Sequence, residues 1–198
     1  MSHKRNRVKY RATDYGKYFI KEIIPVTAGI LIALSIGNWN QNRKEQKYVK
    51  EIFSLIDNEL DDTHKGIEEV IPLQESLMDT LQYYSNNKDV SILQTILKVG
   101  GIYIAPIKTN AWVTFSNSKL ELIDYQLIAP LSDMVEQREI LKSKSTTLTN
   151  FINSNLSQTE REKKEILILH MKDVIGTEKV IQQQIEEVKR LRAGRPHS

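Results

Sequence analysis

The chain has 198 residues, a net charge of +3 and no cysteine. Its length suits one domain plus an anchor. The missing thiols exclude cysteine nucleophiles, Cys-ligated metals and a disulfide framework, but not an oxidising compartment.

The charge is uneven along the chain. Residues 1–22 hold Lys4, Arg5, Arg7, Lys9, Arg11, Lys17 and Lys21 against Asp14 and Glu22, a local +5, and the remainder sums to −2. Basicity is therefore a property of the tail. A nucleic-acid-binding domain would show the opposite distribution, so no nucleic-acid partner is expected. A basic tail before an apolar run reads as a cytoplasmic flank attracted to anionic lipid.

Residues 23–39, IIPVTAGILIALSIGNW, contain no charge. The run is at the short end for a spanning helix. Tyr15, Tyr18 and Phe19 before it and Trp39 after it supply amphipathic rings at both edges, as membrane-interface anchors do. From Tyr18 to Trp39 a helix covers about 31 Å, close to a hydrocarbon core. Pro25 is placed in the first turn, where its missing N–H does no harm.

Three other readings compete. Ala33, Leu34 and Ser35 form a passable signal-peptide cleavage site, but the preceding flank is long and a helical pattern follows directly. A core helix apolar all round would need a partner layer on every face. An in-plane helix would need a polar face.

The N-terminal flank has more Lys and Arg than the C-terminal one, which offers Arg43, Lys44, Lys47 and Lys50. That places the N-terminus in the cytoplasm and residues 40–198 in the periplasm. Gly29, Ala33 and Gly37 fall at i, i+4 and i+8, one smooth stripe on which a second helix could pack.

Residues 42–85 repeat apolar positions in steps of three and four, through Tyr48, Ile52, Leu55, Ile56, Leu60, Ile67, Val70, Ile71, Leu77, Met78, Leu81 and Tyr84. This is one helical stripe. Thr63 weakens it, and Pro72 is expected to kink or end the helix. Residues 85–88 form a turn, and Asp89 is expected to cap a short helix over 90–98 that Gly100 and Gly101 end.

Residues 102–107 are apolar and β-branched, an extended stretch or a packed loop. A short helix over 110–116 presents Trp112 and Phe115 on one face. Their ordinary role is core packing, and the functional alternative is an aromatic contact for a partner. Leu120, Leu122 and Ile123 form a packed connection.

Asp124 caps a long helix placed at 125–156, with Pro130 near its start if the helix begins close to Ala129 and a weak hydroxyl-rich stretch at 143–149. The last helical region is 158–192. Its expected buried side is Ile166, Leu167, Leu169, Val174, Ile175, Val180 or Ile181, Ile185, Val188 and Leu191, with a break at Gly176 and Thr177. Residues 193–198 read as a frayed tail.

The fold class expected is mainly α: one N-terminal transmembrane helix, then an antiparallel bundle of long amphipathic helices over 40–192.

The run GKYFIKEIIPVTAGILIALSIGNWNQNRKEQKYVKEI resembles the N-terminus of an uncharacterised family of bacterial single-span membrane proteins, mainly from Bacteroidota. The matching positions are Glu22, Ile23, Gly29 to Leu34, Ile36 and Asn38 to Asn40. A second segment, TNAWVTFSNSKLELIDYQLIAPLSDM, is similar to a mid-chain stretch of that family. It departs from it at Asn117 and Ser118, where the family tends to carry a glycine, and at Pro130. The two segments cover about a third of the chain. The resemblance implies single-span topology and brings no chemistry, as it is to a domain of unknown function.

Chemistry is sparse in the sequence. His3 and His197 lie in the tails. His64 follows Asp61 and Asp62, with Glu59 nearby, but lacks metal-site spacing. His170 reads as an edge-of-core residue. There is no phosphate loop and no nucleophile elbow. No catalytic, cofactor or metal residue is assigned, and an enzyme is not expected. Lys189, Arg190, Arg192 and Arg195 suit a helix C-terminus or acidic partners. The function expected is a membrane-anchored interaction or scaffold protein, self-assembling or bound to an envelope protein. A ligand-sensing module signalling through a partner is the alternative.

Overall fold

The computed structural model describes residues 6–193, with side chains from residue 19 onward. Helix α1 spans Asn6–Tyr83, α2 Ile92–Lys98, α3 Asn110–Ser116, α4 Tyr125–Asn155 and α5 Arg161–Ala193, with a 3-10 turn at Leu120–Leu122. The fold is mainly α, as expected. The chain divides into two compact units, Met1–Lys50 and Glu51–Ser198.

In the first unit, α1 already begins at Asn6, so Pro25 is an interior helix residue and not a first-turn one. Among the described residues one helix is long and apolar enough to cross a membrane, and its apolar window is not buried. Ile24, Val26, Leu31, Ile32, Leu34 and Ile36 are all exposed. The Ser35 hydroxyl donates to the Leu31 carbonyl at 2.7 Å, which satisfies it without water.

In the second unit, α1 from Glu51 onward packs against α5. Asp57 pairs with Arg192, Asp61 with Lys189 and Glu75 with Lys179, so the two helices run in opposite directions. Helix α4 runs antiparallel to α5, with Lys144 bonded to Asp173 at 3.1 Å and the Phe151 ring 5.1 Å from that of His170. It follows that α1 and α4 are parallel, and the chain between them must return along the bundle.

It returns as an extended strap, residues 102–109. Tyr103 lies at Gln74, Pro106 at Gly66, Lys108 at Thr63 and Ala111 at Glu59, a path antiparallel to α1. The distance explains the conformation. Gln74 to Glu59 spans about 22 Å of helix. The eight steps from Tyr103 to Ala111 cover about 26 Å when extended but only about 12 Å as a helix.

The core follows the expected stripes, with Ile56, Leu60, Ile67, Leu77 and Leu81 of α1 against Leu131, Met134, Leu141 and Leu148 of α4 and Leu167, Val174, Ile181, Ile185 and Val188 of α5. Leu55 and Leu169 are exposed instead.

Several expected boundaries move. Helix α1 continues through Pro72, whose exposure lets water reach the carbonyl it frees, while Leu77 and Leu81 beyond it are buried. The cap of α2 is Ser91 and not Asp89: Ser91 and Gln94 form a reciprocal capping box. Helix α4 does start at Tyr125 as expected, with Asp124 accepting from the Gln126 amide, so Pro130 lies in its interior and not in a first turn. Its hydroxyl-rich stretch stays helical, and there Ser145, Thr146, Thr147 and Thr149 each turn inward to donate to the carbonyl four residues back. Helix α5 likewise continues through Gly176, and Thr177 donates to the Asp173 carbonyl instead of capping a new helix.

Glycine substitutions test this packing. A Cβ at Gly66 would stand 3.4 Å from Pro106 Cδ, whereas one at Gly176 meets nothing within 4 Å. Gly66→Leu should destabilise the second unit by about 1–3 kcal/mol by forcing the strap outward. Gly176→Ala should stabilise it by about 0.5–1 kcal/mol. Thermal unfolding followed by circular dichroism checks both.

Candidate functional site

An extended segment inside a helical bundle has backbone donors and acceptors that no ladder pairs, and buried ones must find partners. Here side chains supply them. The Ala105 amide donates to Glu178 Oε1 at 2.8 Å, the Lys108 amide to Thr63 Oγ1 at 3.0 Å and the Ala111 amide to Glu59 Oε2 at 2.9 Å. Gln74 Nε2 donates to the Tyr103 carbonyl at 3.0 Å. Arg138 of α4 donates to Thr109 Oγ1 at 2.6 Å. Lys108 adds an exposed ion pair with Asp62 at 2.7 Å.

The residues that interrupt the apolar stripes are therefore the ones that hold the strap. Thr63, Gln74 and Glu178 are all enclosed. Thr63 stood out in the sequence as a fault in a stripe, and its burial is explained by the bond it accepts. Gln74 and Glu178 were missed. Each sits between apolar residues of its helix, but a lone polar residue there is indistinguishable from a solvated one until the strap is placed. Burial pushes the Glu178 carboxyl above the ordinary glutamate range, against the smaller opposing effects of the Ala105 amide and the Gln74 side chain.

The opposite end of the bundle is tied by Lys164. Its side chain is enclosed, and its Nζ donates to the Tyr84 carbonyl at 2.7 Å and the Asn87 carbonyl at 2.8 Å. A cation just past the C-terminus of α1 also complements the helix dipole. Burial lowers its pKa from the usual lysine value. The amides of Ile92 and Leu93, at the start of α2, donate to the Gln158 and Leu156 carbonyls in the α4–α5 connection.

The residues singled out from sequence fall in different places. A Cβ built at Gly29 or Gly37 has open space within 4 Å, and the neighbouring Ala33 is exposed. Phe19 and Trp39 are exposed, with the Arg43 guanidinium 5.1 Å from the Trp39 ring. The side chains of Tyr15 and Tyr18 lie outside the described residues, as do His3, Arg195 and His197. Trp112 and Phe115 are both buried in the core, where Phe115 meets Phe53 at 6.4 Å between ring centroids. They form the packing pair and present no surface to a partner in this arrangement.

His64 pairs with Glu68 at 3.4 Å and Glu186 at 3.8 Å. Glu59 and Asp61, its expected neighbours, are bonded to Ala111 and Lys189 instead. Among the described residues no group of three or more His, Asp or Glu side chains is placed to hold a metal ion. A shallow open groove of about 710 Å³ is lined by Pro72, Glu75, Asp79, Tyr83, Tyr84 and Lys98. The Lys98 ammonium sits 5.3 Å from the Tyr84 ring.

Comparison of the chain with protein-family models, curated proteins and solved structures gives no match.

Thr63→Val tests the strap's anchoring. It keeps the shape of the side chain and leaves the Lys108 amide without its acceptor. It should cost about 1–3 kcal/mol in chemical denaturation, more than a surface threonine-to-valine change.

Proposed function

We propose that this protein is a membrane-anchored helical interaction module, held by residues 23–39 in the bacterial cytoplasmic membrane, with its N-terminus in the cytoplasm and residues 40–198 in the periplasm. It works by associating with a second copy or with another envelope protein. The observation that supports this reading most is the exposure of the apolar segment among the described residues. Lipid satisfies most of such a surface. The open face at Gly29, Ala33 and Gly37 suits the close approach of a second helix. The likeness of the GILIAL and NWN stretches to the Bacteroidota family supports the same topology, and the flanking charges support the orientation.

Within this reading the bundle is a rigid body for contacts, not a catalyst. A second reading, ligand sensing, is favoured by the Tyr84 and Lys98 groove alone, whose aromatic rings, carboxylates and ammonium suit a small zwitterion.

Leucines at Gly29, Ala33 and Gly37 together should convert the full-length protein from an oligomer to a monomer, or release its partner, in mass measurements on detergent-extracted membranes. Leu31→Ala, placed off that stripe, should leave assembly unchanged. A wild-type protein that is monomeric and partner-free would contradict the proposal.

A further inference from the structure

Helix α1 runs on without a break from the apolar segment through residues 40–50, within the first compact unit. Trp39, at the far edge of that segment, is exposed, and the Arg43 guanidinium lies over its ring, 5.1 Å from the centroid. The contact reaches one turn back toward the apolar segment, the direction in which helical side chains lean. A guanidinium held over a ring keeps N–H donors free to grip phosphate oxygens in pairs. A cation serving only solubility would extend into water instead.

The other charges sort themselves round the helix. Lys44 flanks Arg43 and is exposed. At about 100° per residue, Lys47 and Lys50 return to within about 40° of Arg43. The half-buried Glu45, Tyr48 and Val49 lie about 120° or more away from it. Glu45 accepts from the Gln41 amide at 2.6 Å on that other side.

Depth separates the roles of the cations. Arg43 stands about 6 Å beyond Trp39 along the axis, Lys47 about 12 Å and Lys50 about 16 Å. A headgroup layer is about 5–8 Å thick on each side of a bilayer. With Trp39 at its inner boundary, Arg43 and Lys44 stand among the phosphates. Lys47 and Lys50 stand above them and act through their field alone, which fades over about 8–10 Å.

We propose that Trp39, Arg43 and Lys44 form a binding site for the phosphodiester of an anionic phospholipid, in whichever leaflet this edge of the span meets. The inference rests on the membrane reading above, but not on its orientation. Arg43 supplies the paired N–H donors, Trp39 holds the guanidinium at phosphate depth, and Lys44 adds a second positive charge at the same level. A zwitterionic headgroup brings a cation of its own, which Lys44, Lys47 and Lys50 repel, so a headgroup of net negative charge is preferred.

The test uses the full-length protein in nanodiscs of phosphatidylglycerol and phosphatidylcholine in equal parts, at physiological ionic strength. Native mass spectrometry counts the lipids that stay bound when the protein is released. The wild type should retain phosphatidylglycerol in preference. R43Q should lose about fivefold of that preference. R43K should lie between the two, because it keeps the charge and not the fork. K88Q, which removes the same charge from an exposed turn, should match the wild type. Excess inorganic phosphate should leave the retained lipid in place. Equal retention of both lipids by the wild type, equal losses in R43Q and K88Q, or displacement by inorganic phosphate would each overturn the proposal. Alkaline carbonate extraction separates its failure from that of the membrane reading. A protein washed off membranes refutes both, whereas one that resists extraction yet shows no lipid preference refutes the site alone.

Discussion

The second unit is organised by a distance. Helix α4 runs parallel to α1, so the chain must travel back along α1 before α4 can begin. Too few residues are available to make that journey as a helix. The extended strap is the consequence, and it brings backbone amides and carbonyls into a bundle whose helices already satisfy their own. Glu59, Thr63, Gln74 and Glu178 answer those groups one by one. The close approach over Gly66 leaves room for the strap's Pro106.

This view changes the meaning of polarity in the stripes. In an isolated amphipathic helix a threonine, glutamine or glutamate on the apolar face weakens packing. In this bundle the same residues hold a fourth layer in place of a fourth helix. Lys164 acts in the same way at the other end, where it gathers the Tyr84 and Asn87 carbonyls of the turn that follows α1. Surface ion pairs such as Asp61 with Lys189 and Glu75 with Lys179 align α1 and α5, but exposed pairs of that kind add little stability.

Much of the architecture was legible in the sequence because it rests on local periodicity. The apolar segment at 23–39, helix α3, the cap at Asp124 and the long stripes of α1, α4 and α5 are set by residues close together in the chain. The β-branched run with its proline at 102–107 pointed away from helix but left an extended stretch and a packed loop both open. What the sequence hid depends on contacts between distant residues. Pro72 and Gly176 look like breaks, yet burial on either side carries the helices through. Glu178 reads as one more surface charge on α5, and only its meeting with Ala105 and Gln74 makes it the most constrained carboxylate of the bundle. Among the proposed interface residues, Gly29, Ala33 and Gly37 are open in this chain, whereas Trp112 and Phe115 are enclosed in the core.

Residue-resolved hydrogen exchange of the full-length protein tests the role of the strap most directly. The account predicts that the Ala105, Lys108 and Ala111 amides exchange slowly, with protection approaching that of the core helices, because each is held by a side chain from α1 or α5. Exchange of these three amides at the rate of an open surface loop, with the helices still protected, would contradict it.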